Sequence, residues 1–236
     1  MKQFLVEVWG DLACFTRPET KVERMSYPVM TPSAARGLLD SIYCKYTEFG
    51  WRIDRIEVLR PIRYIALKRN EVKDKIGDLA VTRAMRGAEA PIIVGDATKE
   101  MTGTDAIGRT QRQTMALRDV RYRITAHIHP RPGFTGRIRQ LEEQAERRIA
   151  GGKCFCQPCF GCREFPAFFA LSAGESEPVD ESQDLGYMLY DVFNLDEMVK
   201  DFARPYVSLF RAVLKKGVLD IPPWDSPGVL KPVKRR

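Results

Sequence analysis

The segment that most constrains this chain is Met30-Thr31-Pro32 and the apolar stripe behind it. A threonine hydroxyl can accept the free amides of a helix start, and proline suits the first helical turn because it lacks an N–H to satisfy. Ala35, Leu38, Leu39, Ile42 and Tyr43 then recur at helical spacing, with Arg36 and Asp40 off the stripe. This predicts an amphipathic helix with one face buried. Strand-like runs flank it. Lys2–Trp9 alternates and is rich in aromatic and branched residues, and Trp51–Tyr64 alternates again, read as one long strand bent near Pro61.

Further along, Val120, Tyr122, Ile124 and Ala126 fall on one face of an alternating run, with Arg121, Arg123 and Thr125 on the other. Arg137–Ala150 reads as a charged helix that Gly151 and Gly152 stop, and Cys154–Phe169 as a return to strand. Residues 68–108 are charged and weakly periodic, which suits an inserted hairpin or loop better than core. The order is strand, helix, strand, insert, strand, helix, strand. That is the ferredoxin-like βαββαβ pattern of an α+β domain, shared with RNA-recognition folds. The expected organisation is a ferredoxin-like body over residues 1–175, with its insert near 68–108, followed by a short β-rich extension and basic tail over 176–236.

The chain has 38 Lys and Arg against 31 Asp and Glu, a net charge of +7 and a pI near 9.1. Such a balance favours a phosphate-rich partner, because clustered cations release condensed counterions on binding. The start of the chain lacks an apolar signal region, and no apolar run approaches the ~20 residues that cross a bilayer. The expectation is a cytoplasmic protein without membrane contact, whose thiols stay reduced.

Lys68, Arg69 and the alternating Arg121 and Arg123 would point several cations toward one surface, Arg109, Arg112 and Arg118 add three more, and Tyr64 and Tyr122 lie among them. Cations holding phosphates and rings stacking bases suit a single-stranded RNA path. Gly151-Gly152-Lys153 and Gly161-Cys162-Arg163 add glycine-flanked backbone beside cations. His127 and His129 share one strand face without an identifiable third metal ligand. Cys154, Cys156, Cys159 and Cys162 crowd within nine residues. Zinc sites usually space two cysteine pairs more widely, so the favoured reading is reduced and metal-free; a zinc-stabilised RNA-binding module is the alternative. No cofactor is expected.

In detail the chain resembles the Cas-five proteins of CRISPR–Cas subtype I-C, also called the Dvulg subtype, of the repeat-associated mysterious protein superfamily. The near-matches run in order from Trp9 to Asp191: Phe15-Thr16-Arg17-Pro18-Glu19, Lys21-Val22-Glu23-Arg24, Ser26-Tyr27, Thr31 through Gly37, Arg69-Asn70-Glu71-Val72, Arg118-Asp119-Val120, Arg147-Arg148, Gly161 through Pro166 and Asp184-Leu185-Gly186. The resemblance implies a ferredoxin-like domain with a thumb-like hairpin. It implies binding to the CRISPR RNA repeat and its 5′ handle, and contacts with the backbone and large subunits of Cascade. Contact with target DNA is a further expectation.

It also implies metal-independent cutting of precursor CRISPR RNA, with the 2′-hydroxyl upstream of the scissile phosphate as nucleophile. The family's tyrosine at the end of the first helix corresponds to Tyr43. Its Lys-His pair, counted back from Arg147-Arg148, falls on Gln140 and Leu141, which cannot replace it. Tyr43 is therefore the expected catalytic residue, with His127, Lys45 and Arg137 as weaker candidates. The RNA-binding set is Lys21, Arg24, Arg36, Lys68, Arg69, Arg109, Arg112, Arg118, Arg147, Arg148, Lys153 and Arg163. A non-catalytic RNA-binding cap of Cascade is the competing reading.

Overall fold

The computed structural model describes residues 1–20, 22–72, 77–88, 109–197 and 205–232. Its organising element is a long strand, β5 (Arg109–Pro130), with which four of the six other strands of the main sheet pair. β1 (Gln3–Ala13) and β3 (Phe49–Val58) pair antiparallel along its second half, from Leu117 to Pro130. β4 (Tyr64–Val72) pairs antiparallel with its first half, and the two-residue β2 (Arg24–Met25) pairs parallel at Thr114 and Met115. With β6 (Phe168–Leu171) beyond β1 and β9 (Val218–Asp220) beyond β3, the main path runs β6-β1-β5-β3-β9. A second, three-stranded sheet has the order β10-β8-β7, from β7 (Gln183–Asp191), β8 (Ser208–Leu214) and β10 (Val229–Leu230). The protein is α+β with a mostly antiparallel sheet.

Helix α1 (Pro32–Ile42) starts as its sequence requires. Thr31 Oγ1 accepts from the Ala34 amide at 3.2 Å, and the Tyr43 amide closes the last turn on the Leu39 carbonyl at 2.9 Å. Its stripe Ala35, Leu38, Leu39 and Ile42 is buried against the sheet face that carries Val6, Ile56, Ile124 and Ile128. Helix α3 (Ile138–Ala150) buries Leu141, Ala145 and Ile149 and ends at Gly151, with Gly152 at a φ of 61°. A short exposed helix, α2 (Asp78–Met85), lies within the insert.

Three sequence expectations are corrected. Residues from Trp51 to Tyr64 form two strands: β3 ends at Val58, and the chain re-enters the sheet at Tyr64 in another register on β5. Pro61 offers no amide to the ladder, so it separates strands instead of bending one. The insert's first strand therefore starts at Tyr64, its return strand is the first half of β5, and α2 was not foreseen. Finally, residues 154–167 are turns and bends, and a strand begins only at Phe168. Here Gly161 sits at a φ of 83° with its Cα against Cys14. A Cβ would lie 2.0 Å from the Cys14 carbonyl oxygen, so this loop is shaped by close backbone approach.

Behind the sheet, Arg121 and Arg123 meet carboxylates. Arg121 Nη2 lies 2.6 Å from Glu7, and the buried Arg123 has Nη1 2.5 Å from Glu57. The alternation put both arginines on one face, but pairing with Glu7 and Glu57 takes them out of the RNA path expected of them.

Candidate active site and nucleic-acid interface

Tyr43 caps α1 where the chain turns toward β3. Its carbonyl accepts from Trp51 Nε1 at 2.9 Å, and its ring packs on Phe49 at 5.1 Å between centroids. The residue is 6% exposed. Around it gather Lys45 and Glu48 from the turn, Arg137 from the 3-10 turn (Thr135–Arg137) before α3, and Arg148 from α3. Arg148 places its guanidinium 5.9 Å from the Tyr43 ring centre and donates through Nε to the Ile42 carbonyl at 2.9 Å. Lys45 Nζ lies 2.9 Å from Glu48 Oε1, and Arg137 Nη1 lies 3.5 Å from Glu48 Oε2.

Burial pushes the Tyr43 phenol above its ordinary pKa. Glu48 adds to that rise, while Lys45, Arg148 and Arg137 oppose it. Tyr43 is thus a protonated donor near neutrality, able to give a hydrogen bond or a proton. The sequence pointed to Tyr43, Lys45 and Arg137, and the fold brings these three together. It adds Glu48, which carried no signal beyond its three-residue spacing from Lys45. Gln140 accepts from Arg137 Nε at 3.4 Å, and Leu141 is buried in the core.

His127 lies elsewhere. Its strand neighbours Ala126 and Ile128 face α1, so His127 faces the opposite side of the sheet, where Nδ1 is 2.9 Å from Asp54. The sheet separates it from Tyr43.

The predicted RNA-binding cations divide into groups. Arg36 is not on a surface. Its side chain is 8% exposed, with Nε 2.5 Å and Nη2 3.0 Å from Asp191, Nη1 2.6 Å from Asp40, and Phe193 against its guanidinium. This corrects the expectation: Arg36 ties α1 to the C-terminal sheet. Arg24, Arg69 and Arg112 lie around β2 and the β4–β5 ribbon, partly paired with Glu71, Glu164 and Glu23. Arg24 and Lys68 line a groove of about 290 Å³ with Met25, Gln113 and Met115. Arg118, Lys153 and Arg163 are exposed. Arg109 opens β5 opposite Val72. Arg147 is exposed on α3 and bonds Gln144, while Arg148 belongs to the Tyr43 cluster. Lys21 lies outside the described residues.

Cys162 was overlooked as anything but part of the cysteine cluster. It is buried, and its Sγ accepts from Arg24 Nη1 at 3.2 Å and Arg69 Nη1 at 3.8 Å. A hydrogen bond from Cys14, then these two guanidinium groups, hold its thiol below the ordinary cysteine range, while Cys14 moves up. The Cys162 sulfur thereby ties β2 and β4 to the Gly161 turn. Cys156 is exposed, and among the described residues no three His, Cys, Asp or Glu side chains are arranged to hold a metal ion.

The fold defines a class first: a compact α+β protein with a largely antiparallel sheet. A solved structure titled as a CRISPR-associated protein matches it with a TM-score of 0.62 and 20% identity, covering 97% of this chain and 96% of that one. The functionally uncharacterized protein SMU1763c from Streptococcus mutans matches with a TM-score of 0.58 and 20% identity over the same shares. The family is shown by sequence. Residues 4–222 match the Cas5d family, described as CRISPR-associated protein (Cas_Cas5), and the chain belongs to that family. It is 41% identical to the CRISPR pre-crRNA endoribonuclease Cas5d of Mannheimia succiniciproducens, covering 93% of this chain and 94% of that protein. It is 38% identical to the protein of the same name from Thermus thermophilus, covering 94% and 92%.

Proposed function

We propose that this protein is a metal-independent endoribonuclease that cuts precursor CRISPR RNA at the repeat. It then stays on the 5′ handle as a subunit of the type I-C Cascade. The observation that carries the reading is the Tyr43 cluster: a buried phenol ringed by Lys45, Arg137 and Arg148, in a chain about two-fifths identical to a named pre-crRNA endoribonuclease. We further read the body over 1–175 as a ferredoxin-like domain with a thumb hairpin. The order β6-β1-β5-β3 supports it, with α1 following β1 and α3 following β5.

The chemistry follows from the groups present. The 2′-hydroxyl attacks the adjacent phosphorus and its proton passes to water. The P–O2′ bond forms, the P–O5′ bond breaks, and the leaving 5′-oxygen takes the Tyr43 proton. Lys45, Arg137 and Arg148 offset the charge that grows on the phosphorane oxygens. Arg24, Lys68, Arg69, Arg112 and Arg163 hold the phosphate chain, with Arg109, Arg118, Arg147 and Lys153 as further contacts. The other subunits of the complex and target DNA would be met through surfaces left free by this RNA.

A second reading, a non-catalytic RNA-binding cap, is favoured by Gln140 and Leu141, neither of which can transfer a proton. Incubating the purified protein with labelled cognate repeat RNA in EDTA separates the two. Cleavage that falls at least about 100-fold in Tyr43→Phe supports the nuclease. Tight binding without cleavage by the parent protein establishes the cap.

A further inference from the structure

We propose that Glu48 is a positioning residue for RNA cleavage: a carboxylate strut that fixes Lys45 and Arg137 beside Tyr43. The inference rests on the reading of Tyr43 as catalytic and extends it to a residue outside the family resemblance. Its basis is geometric. Glu48 turns one oxygen to each cation: Oε1 accepts a hydrogen bond from Lys45 Nζ at 2.9 Å, and the buried Oε2, without a hydrogen-bond partner among the described residues, faces Arg137 Nη1 at 3.5 Å. The carboxylate is the buried partner. Its side chain is 15% exposed, against 40% for Lys45 and 53% for Arg137. The two cations are thus held at their inner edge and remain open outward, where a phosphate would lie.

The backbone of Glu48 is fixed on both sides. Its amide donates to the Lys45 carbonyl at 2.8 Å, and its carbonyl accepts from the Arg131 amide at 2.8 Å. The next residue, Phe49, begins β3 and packs on the Tyr43 ring. One short side chain thereby sets two long ones relative to the phenol. Lysine and arginine side chains otherwise sample many rotamers, and misplacement by about 1 Å is enough to cost on the order of 100-fold in rate.

Glu48 does not accept the 2′-hydroxyl proton in this scheme. Its two oxygens face Lys45 and Arg137, so its effect passes through its neighbours. One such effect is on Tyr43 itself, which faces Lys45 and Glu48 from the turn, Arg137 from the 3-10 turn and Arg148 from α3. Of these four, only Glu48 favours the protonated phenol. Removing its charge should move the loss of the Tyr43 proton to lower pH.

The test is single-turnover cleavage of cognate repeat RNA in EDTA, from about pH 6 to about pH 11, with RNA affinity and thermal unfolding measured alongside. The proteins are the parent, Glu48→Gln, Lys45→Ala, their combination and Tyr43→Phe. Glu48→Gln is expected to cut about tenfold more slowly near pH 8, with affinity within about twofold, and to move the alkaline limb to lower pH. In its background, Lys45→Ala should cost less than about threefold, against about tenfold in the parent. If Glu48→Gln does not fold, Glu48→Asp replaces it. That variant keeps the charge and shortens the reach, so the rate and the Lys45 dependence should fall while the alkaline limb stays. A parental rate and profile in the Glu48 variant, with fully additive Lys45 loss and a slow Tyr43→Phe, overturns the role of Glu48 alone. A Tyr43→Phe variant as fast as the parent overturns the catalytic reading and this inference together.

Discussion

At the scale of single residues, the same cation can bind a ligand or hold the fold, and its partners decide which. Arg36 and Arg112 look alike in sequence as candidate RNA-binding arginines, yet Arg36 is enclosed by Asp40 and Asp191, and Arg112 is half-exposed with Glu23 only at 4.0 Å. Asp191→Asn should lower stability by about 3 kcal/mol, near the low end for a broken buried pair because Asp40 remains. A denaturant midpoint measures it, and an unchanged midpoint would contradict the structural role. Cys162 offers a pH test. Its folded-state pKa lies below that of an unfolded cysteine. The stabilisation is therefore fully present above the unfolded value and is lost as pH falls through the lowered folded one. A thiolate absorbance band should titrate below the ordinary cysteine range and disappear in Cys162→Ser. Nothing in the spacing of the cysteines signalled this, because Cys14, Arg24 and Arg69 lie far from Cys162 in the chain.

At the scale of elements, local chemistry was legible where it is self-contained. Thr31 and Pro32 dictate the start of α1, and the glycines after Ala150 its partner's end, because capping involves only a few neighbouring residues. β5 was read only from Val120 onward. Its first half opens with the polar run Arg109–Gln113, paired with β4, and burial begins only at Thr114, Ala116 and Leu117, so the apolar signal is too short there to mark a strand. That ribbon carries Lys68 and Arg112, the two least neutralised of its predicted RNA contacts among the described residues. Each changed to alanine should weaken repeat-RNA binding and reduce the slope of log K against log salt by roughly one unit or slightly less. Arg36→Met should leave that slope unchanged in whatever fraction remains folded. Equal slopes for all three variants would place the RNA elsewhere.

At the scale of the whole molecule, the two sheets share one buried core. Val6, Ile124 and Leu38 belong to the same apolar cluster as Met188, Phe210 and Trp224. Thermal unfolding followed by calorimetry should therefore show one cooperative transition for the chain, and two resolved transitions would refute a shared core. The division at residue 175 looked natural in sequence because the strands after it are short and follow a polar stretch. What joins the pieces, the Arg36–Asp191 pair, spans 155 positions and has no local signature. By itself the sequence determined what depends on near neighbours: helix caps, strand faces, the basic character and the motifs that assign the family. Tertiary structure alone decided which charges are spent on each other and which stay free, and that Glu48 stands between Lys45 and Arg137. Those outcomes depend on burial and on distances between residues remote in the chain, which the order of amino acids does not display.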